Sequence, residues 1–220
     1  MRYNGLCVVI DMAARTVASP AIDRWKQAIL LGALREDYWY LPLLGTVESP
    51  SLSHFYGPGL PGGFVPFVTP STRTKATRMY RRAIASARDG RTAAAFVQLG
   101  RASHLLTDMG CPVHVHRVAH ETDPYEWWVE SHRDELLAQA VPEPPDASSV
   151  RELVEGLARF TQQFRADMTN SAWGRLLLRA GVRRKVSPDE CGEQARRIVP
   201  MAASYNAALM RLFLRETQAA

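Results

Sequence analysis

Four of the chain's six histidines fall between residues 104 and 120, an unusual density of side chains that can bind a metal. His104 and Asp108 are four residues apart in a stretch with helical spacing, so both project from one face. An imidazole and a carboxylate at that spacing make good zinc-ligand geometry. Gly110 and Pro112 then stop the helix and turn the chain, which can bring His114 back beside the same face. His120 and Glu126 sit either side of an expected helix start and could close a second site with His114. Two nitrogens and a carboxylate leave one coordination position open, the arrangement that catalytic zinc requires. Taken singly, each residue has a plainer reading, because a His/Asp pair at i,i+4 is more often a surface or capping pair. His116 and His132 have no partner at ligand spacing and are read as structural, and Glu121 as a solvated loop residue. Taken jointly, five residues of the right type in ordered spacing favour a metal.

The elements that must position these groups read as helices. Residues 5–18 and 20–34 are rich in Ala, Leu and Ile at helical spacing, with Ser19-Pro20 as a stop and restart. Helices are expected from Ser71 to about 88, ending at Asp89-Gly90, and from Thr92 to about Met109, with Gly110 as the cap. Asp123 and Pro124 read as N-cap and first helical residue of a helix reaching about Ala140. Further helices are expected at about 149–168, at 171–180, and from Ser187-Pro188-Asp189 to about 215, the last kinked at Pro200. Between Gly32 and Phe67 the breakers Pro42, Gly45, Pro50, Gly57-Pro58-Gly59, Pro61-Gly62-Gly63 and Pro66 predict a long irregular loop. Its aromatics, among them Tyr38, Trp39, Tyr40, Phe55, Tyr56, Phe64 and Phe67, argue against disorder and could wall a cleft. No segment shows sustained strand alternation. The expected architecture is an all-α, single multi-helix domain over residues 1–220 with a long irregular metal-binding loop.

Composition narrows the function classes little. At 220 residues with 46% hydrophobic side chains the chain can bury a sizeable core. The net charge of +5 suits a phosphate-bearing substrate or an anionic surface, and is too diffuse to argue for nucleic acid. Cys7, Cys111 and Cys191 are odd in number and far apart, which favours neither a disulfide framework nor a cysteine-rich zinc knuckle. The apolar run Gly5 to Ile10 stops at Asp11 and reads as the start of the first helix. The cellular compartment and oligomeric state are left open.

The order His104-x3-Asp108-x5-His114, then His120 and Tyr125-Glu126-Trp127, resembles zinc-dependent phospholipase C and, more distantly, the S1/P1 nucleases. Upstream, Gly32-Ala33-Leu34-Arg35-Glu36-Asp37 is similar to that family's Gly-Ala-x-x-Glu-Asp segment, and Ser53-His54-Phe55-Tyr56-x-Pro58 to its Ser-His-Phe-Tyr-Asp-Pro segment. The match covers roughly residues 5–130. The resemblance implies that Asp37, His54, His104 and Asp108 hold one zinc ion and that His114, His120 and Glu126 hold a second. Asp108 would bridge to a third, completed in the family by an N-terminal histidine and the mature chain's terminal amine and carbonyl. Asp37 is by the same resemblance the candidate general base.

Three departures stand out. Cys7 takes the place of the N-terminal histidine and no terminal Trp is available, so two zinc ions are the expectation. The interval from His120 to Glu126 is too long for i,i+4 spacing on one helix. Gly57 replaces the Asp that follows His-Phe-Tyr. The expected function is a zinc-dependent phosphoric diester hydrolase acting on a phosphate ester, a phospholipid first, with transient membrane-surface contact. The alternatives are an S1/P1-like single-strand nuclease, the only reading with a nucleic-acid partner, and a non-catalytic module whose zinc serves folding.

Overall fold

The computed structural model of the chain describes residues 1–41, 45–48, 52–59, 61–118, 120, 123–167, 179–181 and 185–218, and of residues 39–41, 45–48 and 218 the backbone alone. Each helix boundary follows local chemistry. Helix α1 (Tyr3–Val17) ends where Ala18 turns left-handed at φ 49°, its N–H donating to the Ala14 carbonyl. Helix α2 (Pro20–Arg35) restarts at Pro20, as the Ser-Pro pair predicts, with Asp23 in the first turn complementing the helix dipole. Helix α3 (Thr72–Arg88) is capped by Ser71, whose hydroxyl accepts from the Thr74 N–H, and stops at Asp89 before Gly90 at φ 72°. Helix α4 (Thr92–Asp108) carries the first two expected ligands in its last two turns. One helical turn, α5 (Pro112–Val115), follows within the histidine-rich connection. Then come α6 (Pro124–Ser131), α7 (Arg133–Leu137), α8 (Val150–Thr161), capped by Ser149, and α9 (Pro188–Gln218), which continues through Pro200.

Helix α4 lies at the centre, packed along both α2 and α3 and touched by α1, α8 and α9. Most of its residues from Leu99 to Asp108 are buried, so burial extends most of the way round its C-terminal half rather than along one stripe. Where it meets α9 the buried polar groups are paired. Ser103 Oγ donates to Asn206 Oδ1 at 2.6 Å, and Asn206 Nδ2 donates to Thr107 Oγ1 at 3.1 Å. Gly110 is not left-handed; it is small so that Ala202 of α9 can approach, an added Cβ lying 3.1 Å from the Ala202 Cβ. Among the described residues no helix is long and apolar enough to cross a membrane.

The structure corrects the sequence reading in three places. Tyr38–Leu41 (β1) and Gly45–Glu48 (β2) pair as a short antiparallel hairpin inside the segment expected to be irregular. The helix expected from 125 to 140 breaks at His132, which leaves the helical region at φ −117°, ψ 35°. Its ring stacks on Trp128 at 3.9 Å and its Nδ1 donates to the Trp128 carbonyl at 2.8 Å, which fixes His132 in that conformation. The helix expected to reach 168 ends at Thr161. The helix expected at 171–180 lies almost wholly outside the described residues, as does Glu121.

Helices α2 and α4 cross backbone against backbone. A Cβ at Gly32 would collide with the Val97 carbonyl, and one at Gly100 with the Ile29 carbonyl. The reciprocal pair sets how close the C-terminus of α2, just before Asp37, lies to His104 on α4. Gly100→Ala should therefore destabilise the protein by about 1–3 kcal/mol through overpacking, although the same change in an exposed helix gains about 1 kcal/mol. A melting temperature that rises in this variant would show that the crossing is not tight.

Candidate metal centre

The centre is built on Glu36 and Asp37, the turn that ends α2. Glu36 is buried, and Lys75 Nζ from α3 approaches its Oε1 at 2.5 Å while Arg101 Nε from α4 donates to its Oε2 at 2.6 Å. Two cations on two helices thus fix the residue beside Asp37. His54 comes from the loop between β2 and α3. Its Nδ1 lies 2.8 Å from Asp108 Oδ2 and 3.6 Å from Asp37 Oδ1. His104 Nε2 sits 3.3 Å from both Asp37 Oδ1 and Asp108 Oδ2. Asp37, His54, His104 and Asp108 therefore converge, from three segments, on one point. His54, His104 and Asp108 are sealed from solvent, whereas the Asp37 side chain is 37% exposed and opens the point to the outside.

Next to it lies a second group. His114 Nδ1 donates to the His54 carbonyl at 2.9 Å, because a carbonyl can only accept, and its Nε2 keeps a free lone pair 3.9 Å from Glu126 Oε1. His120 is held the same way, Nδ1 to the Val118 carbonyl at 3.0 Å, with its ring 5.0 Å from that of His114. Phe55 stacks on His114 at 4.9 Å and meets His120 edge-on at 6.3 Å. Arg117, left-handed at φ 55°, donates to the Gly62 and Gly57 carbonyls at 3.1 and 3.4 Å and ties the His114 turn to the loop that carries His54. Gly57 lies there because a Cβ would approach the Val115 carbonyl to 2.9 Å, so the Asp of the resembling family has no room at this position.

The Met1 ammonium spans the two groups, 2.7 Å from Asp108 Oδ1 and 3.1 Å from Glu126 Oε1. Cys7, aligned by sequence with the family's N-terminal histidine, is not among these donors. It lines a cleft on the flank of α1 with Tyr3, Asp11, Lys26 and Arg133. Two other residues stand in the centre that the sequence reading does not place there. Cys111 Sγ lies 3.6 Å from Glu126 Oε1 and 3.5 Å from Asp123 Oδ2. Asp123, expected only as a cap, makes no side-chain cap hydrogen bond. A cysteine directly before Pro112, inside the ligand run, is the one available signal. His116 and His132 stay outside, bonded to the Phe164 and Trp128 carbonyls.

The donors fit a divalent cation. One ligand atom each from Asp37, His54 and His104 lie within 4.8 Å of one another, and so do those of Cys111, His114 and Glu126. His104 Nε2 and Asp108 Oδ2, which face each other beside Asp37, are buried without an aligned hydrogen bond. Each buried polar atom left so costs about 1–3 kcal/mol, which lone pairs directed at a shared cation avoid. The electrostatics divide the centre. Burial alone would lower the His104 pKa, but Asp108 and Asp37 outweigh it and carry it up to about 10. Burial raises Asp37, yet His104 holds it at about 2. Asp108, buried but facing the Met1 ammonium and His104, is held well below the usual carboxylate range. In the second group burial pushes His114 down to about 4 despite Asp108, and burial with Glu126 lifts Asp123 to about 7.

No family model matches the chain, and no curated protein matches it in sequence. Solved structures do. Alpha toxin from Clostridium absonum superposes with a TM-score of 0.70 at 16% identity, over 99% of this chain and 65% of that one. Clostridium perfringens alpha-toxin isolated from avian strain SWCP gives 0.61 at 13% identity, over 98% of this chain and 64% of that one. The chain spans just under two thirds of the length of these toxins, and at such identity the likeness is one of fold. The expected all-α fold of the phospholipase C type is the fold observed.

Proposed function

We propose that the chain is a zinc-dependent phosphodiester hydrolase of the phospholipase C kind, with Asp37, His54, His104 and Asp108 for one ion and His114, His120 and Glu126 for a second. The observation that carries this reading is the convergence of scattered segments on two adjoining sets of metal-ligating side chains, the first with buried polar atoms that lack an aligned hydrogen bond. When bound, divalent ions at such positions offset phosphoryl charge and lower the pKa of water. The chain's own groups supply the rest. Asp37, ionised at neutral pH and partly exposed, can accept a proton from an approaching water. Glu36, clamped by Lys75 and Arg101, keeps it in place. The His54 and Val118 carbonyls fix the tautomers of His114 and His120.

The substrate side also favours a lipid. The segment that carries His54 exposes Leu52, Val65, Phe67 and Val68, and Tyr38 beside Asp37 is exposed as well. Phe67 is 81% and Val68 76% accessible. Apolar side chains flanking a phosphate site suit a glyceride and contact with a membrane surface. A chromogenic phosphocholine ester should be hydrolysed and a chelator should stop it. Cleavage of single-stranded DNA instead would favour the nuclease, and inertness toward both with zinc bound would leave a zinc-stabilised module.

The purified protein should carry at least two zinc ions per chain by elemental analysis; one or none refutes the paired sites. Asp108→Asn should lower turnover more than about 100-fold, beyond what outer-sphere partners contribute, and weaken metal retention. His132→Ala should change neither. Zinc binding should also release protons. With its pKa at about 10, metal-free His104 is protonated at pH 7, and a ligand must be neutral, so protons compete with the ion. Apparent affinity should rise by up to about tenfold per pH unit between pH 6 and 9. Calorimetry in buffers of different ionisation enthalpy reads the released protons directly, and a pH-independent affinity would place zinc elsewhere.

A further inference from the structure

Cys111 is fully buried in the turn between α4 and α5, and its backbone is held by the flanking ligands: its N–H donates to the Asp108 carbonyl at 3.0 Å, and its carbonyl accepts from the His114 N–H at 3.1 Å. Its side chain is directed at two carboxylates, Glu126 Oε1 at 3.6 Å and Asp123 Oδ2 at 3.5 Å. A thiol carries one proton and can donate to one of them, so the second approach goes unrewarded. Independently, Asp123 is 1% exposed and its other oxygen, Oδ1, has no hydrogen-bond partner. Three acidic groups around one buried point, with an imidazole alongside, are a coordination set rather than a hydrogen-bond network. Sulfur, nitrogen and carboxylate oxygen together are donors that zinc accepts.

We infer that Cys111 supplies a thiolate to the second metal position, in company with His114 and Glu126 and with Asp123 beside it. The inference rests on the reading that metal binds here, and it adds a sulfur ligand that the resemblance does not imply. On binding, the S–H bond breaks, the sulfur–metal bond forms and the proton passes to solvent, with no change of oxidation state. A soft ligand also biases the position toward zinc, cobalt and cadmium and away from magnesium and calcium.

Cobalt(II) added to the metal-free protein tests this. Visible d–d bands report binding, and a near-ultraviolet sulfur-to-cobalt charge-transfer band reports the thiolate. The band should appear in the natural chain, persist in Cys7→Ser/Cys191→Ser, where Cys111 is the sole thiol left, and vanish in Cys111→Ser. The double variant decides the question even if Cys111→Ser fails to fold. Cobalt uptake and phosphodiester hydrolysis without a charge-transfer band would overturn the sulfur ligand and leave the hydrolase reading standing. A band that survives in Cys111→Ser would overturn it too, and failure to take up cobalt at all would overturn both.

Discussion

Everything in this centre is arranged around one buried anion. Asp108 is fully sealed, and it ends α4, where the helix dipole already places negative charge. A carboxylate in that position is unfavourable for stability by several kcal/mol unless positive groups or hydrogen-bond donors surround it. The fold meets the demand from three directions. The Met1 ammonium faces one oxygen, while His54 and His104 face the other. A helix that ends on such a group breaks a rule of local stability, and rule-breaking at a single buried point is how functional sites commonly betray themselves.

The two halves of the centre are electrostatically unlike. Around His104 two carboxylates dominate and hold the imidazole in its charged form. Around His114 burial dominates, with Phe55 stacked on one face of the ring and a carbonyl fixing its tautomer, so that imidazole is neutral. The first half is a cluster of paired opposite charges, and the second is a set of imidazole rings whose tautomers are fixed by carbonyls. Asp108 and the Met1 ammonium lie between them, so charge placed in either half is felt in the other.

How much of this is legible in the sequence depends on how far each contact reaches along the chain. The pairing of His104 with Asp108 follows from helical spacing, and Ser71, Ser149 and Pro20 mark helix starts by short-range chemistry. Asp37 and His54 come from the resemblance alone, since nothing periodic links them to residues fifty or more positions away. The pairing of Tyr38–Leu41 with Gly45–Glu48 is illegible because strands of four residues are too short to show sustained alternation. The break at His132 is hidden because its cause is a side chain stacked on Trp128, not a Gly or Pro. Cys111 and Asp123 escape because spacing rules read along one helix, whereas these residues meet across a turn. An amine beside Asp108 is anticipated only through the resemblance, because a terminal charge is not written in the side chains.

The close crossing of α2 and α4 has a consequence for how this architecture can diverge. Where two backbones touch, the separation of the helices is set by main-chain atoms and not by whichever side chains fill a gap. Substitutions on the outer faces of the helices can then accumulate without altering the distance between the turn bearing Glu36 and Asp37 and the helix bearing His104. Two positions without side chains thus give the centre a fixed gauge, while most of the surrounding lettering is free to drift. The clostridial toxins share the fold at 13–16% identity, the regime in which such a gauge matters.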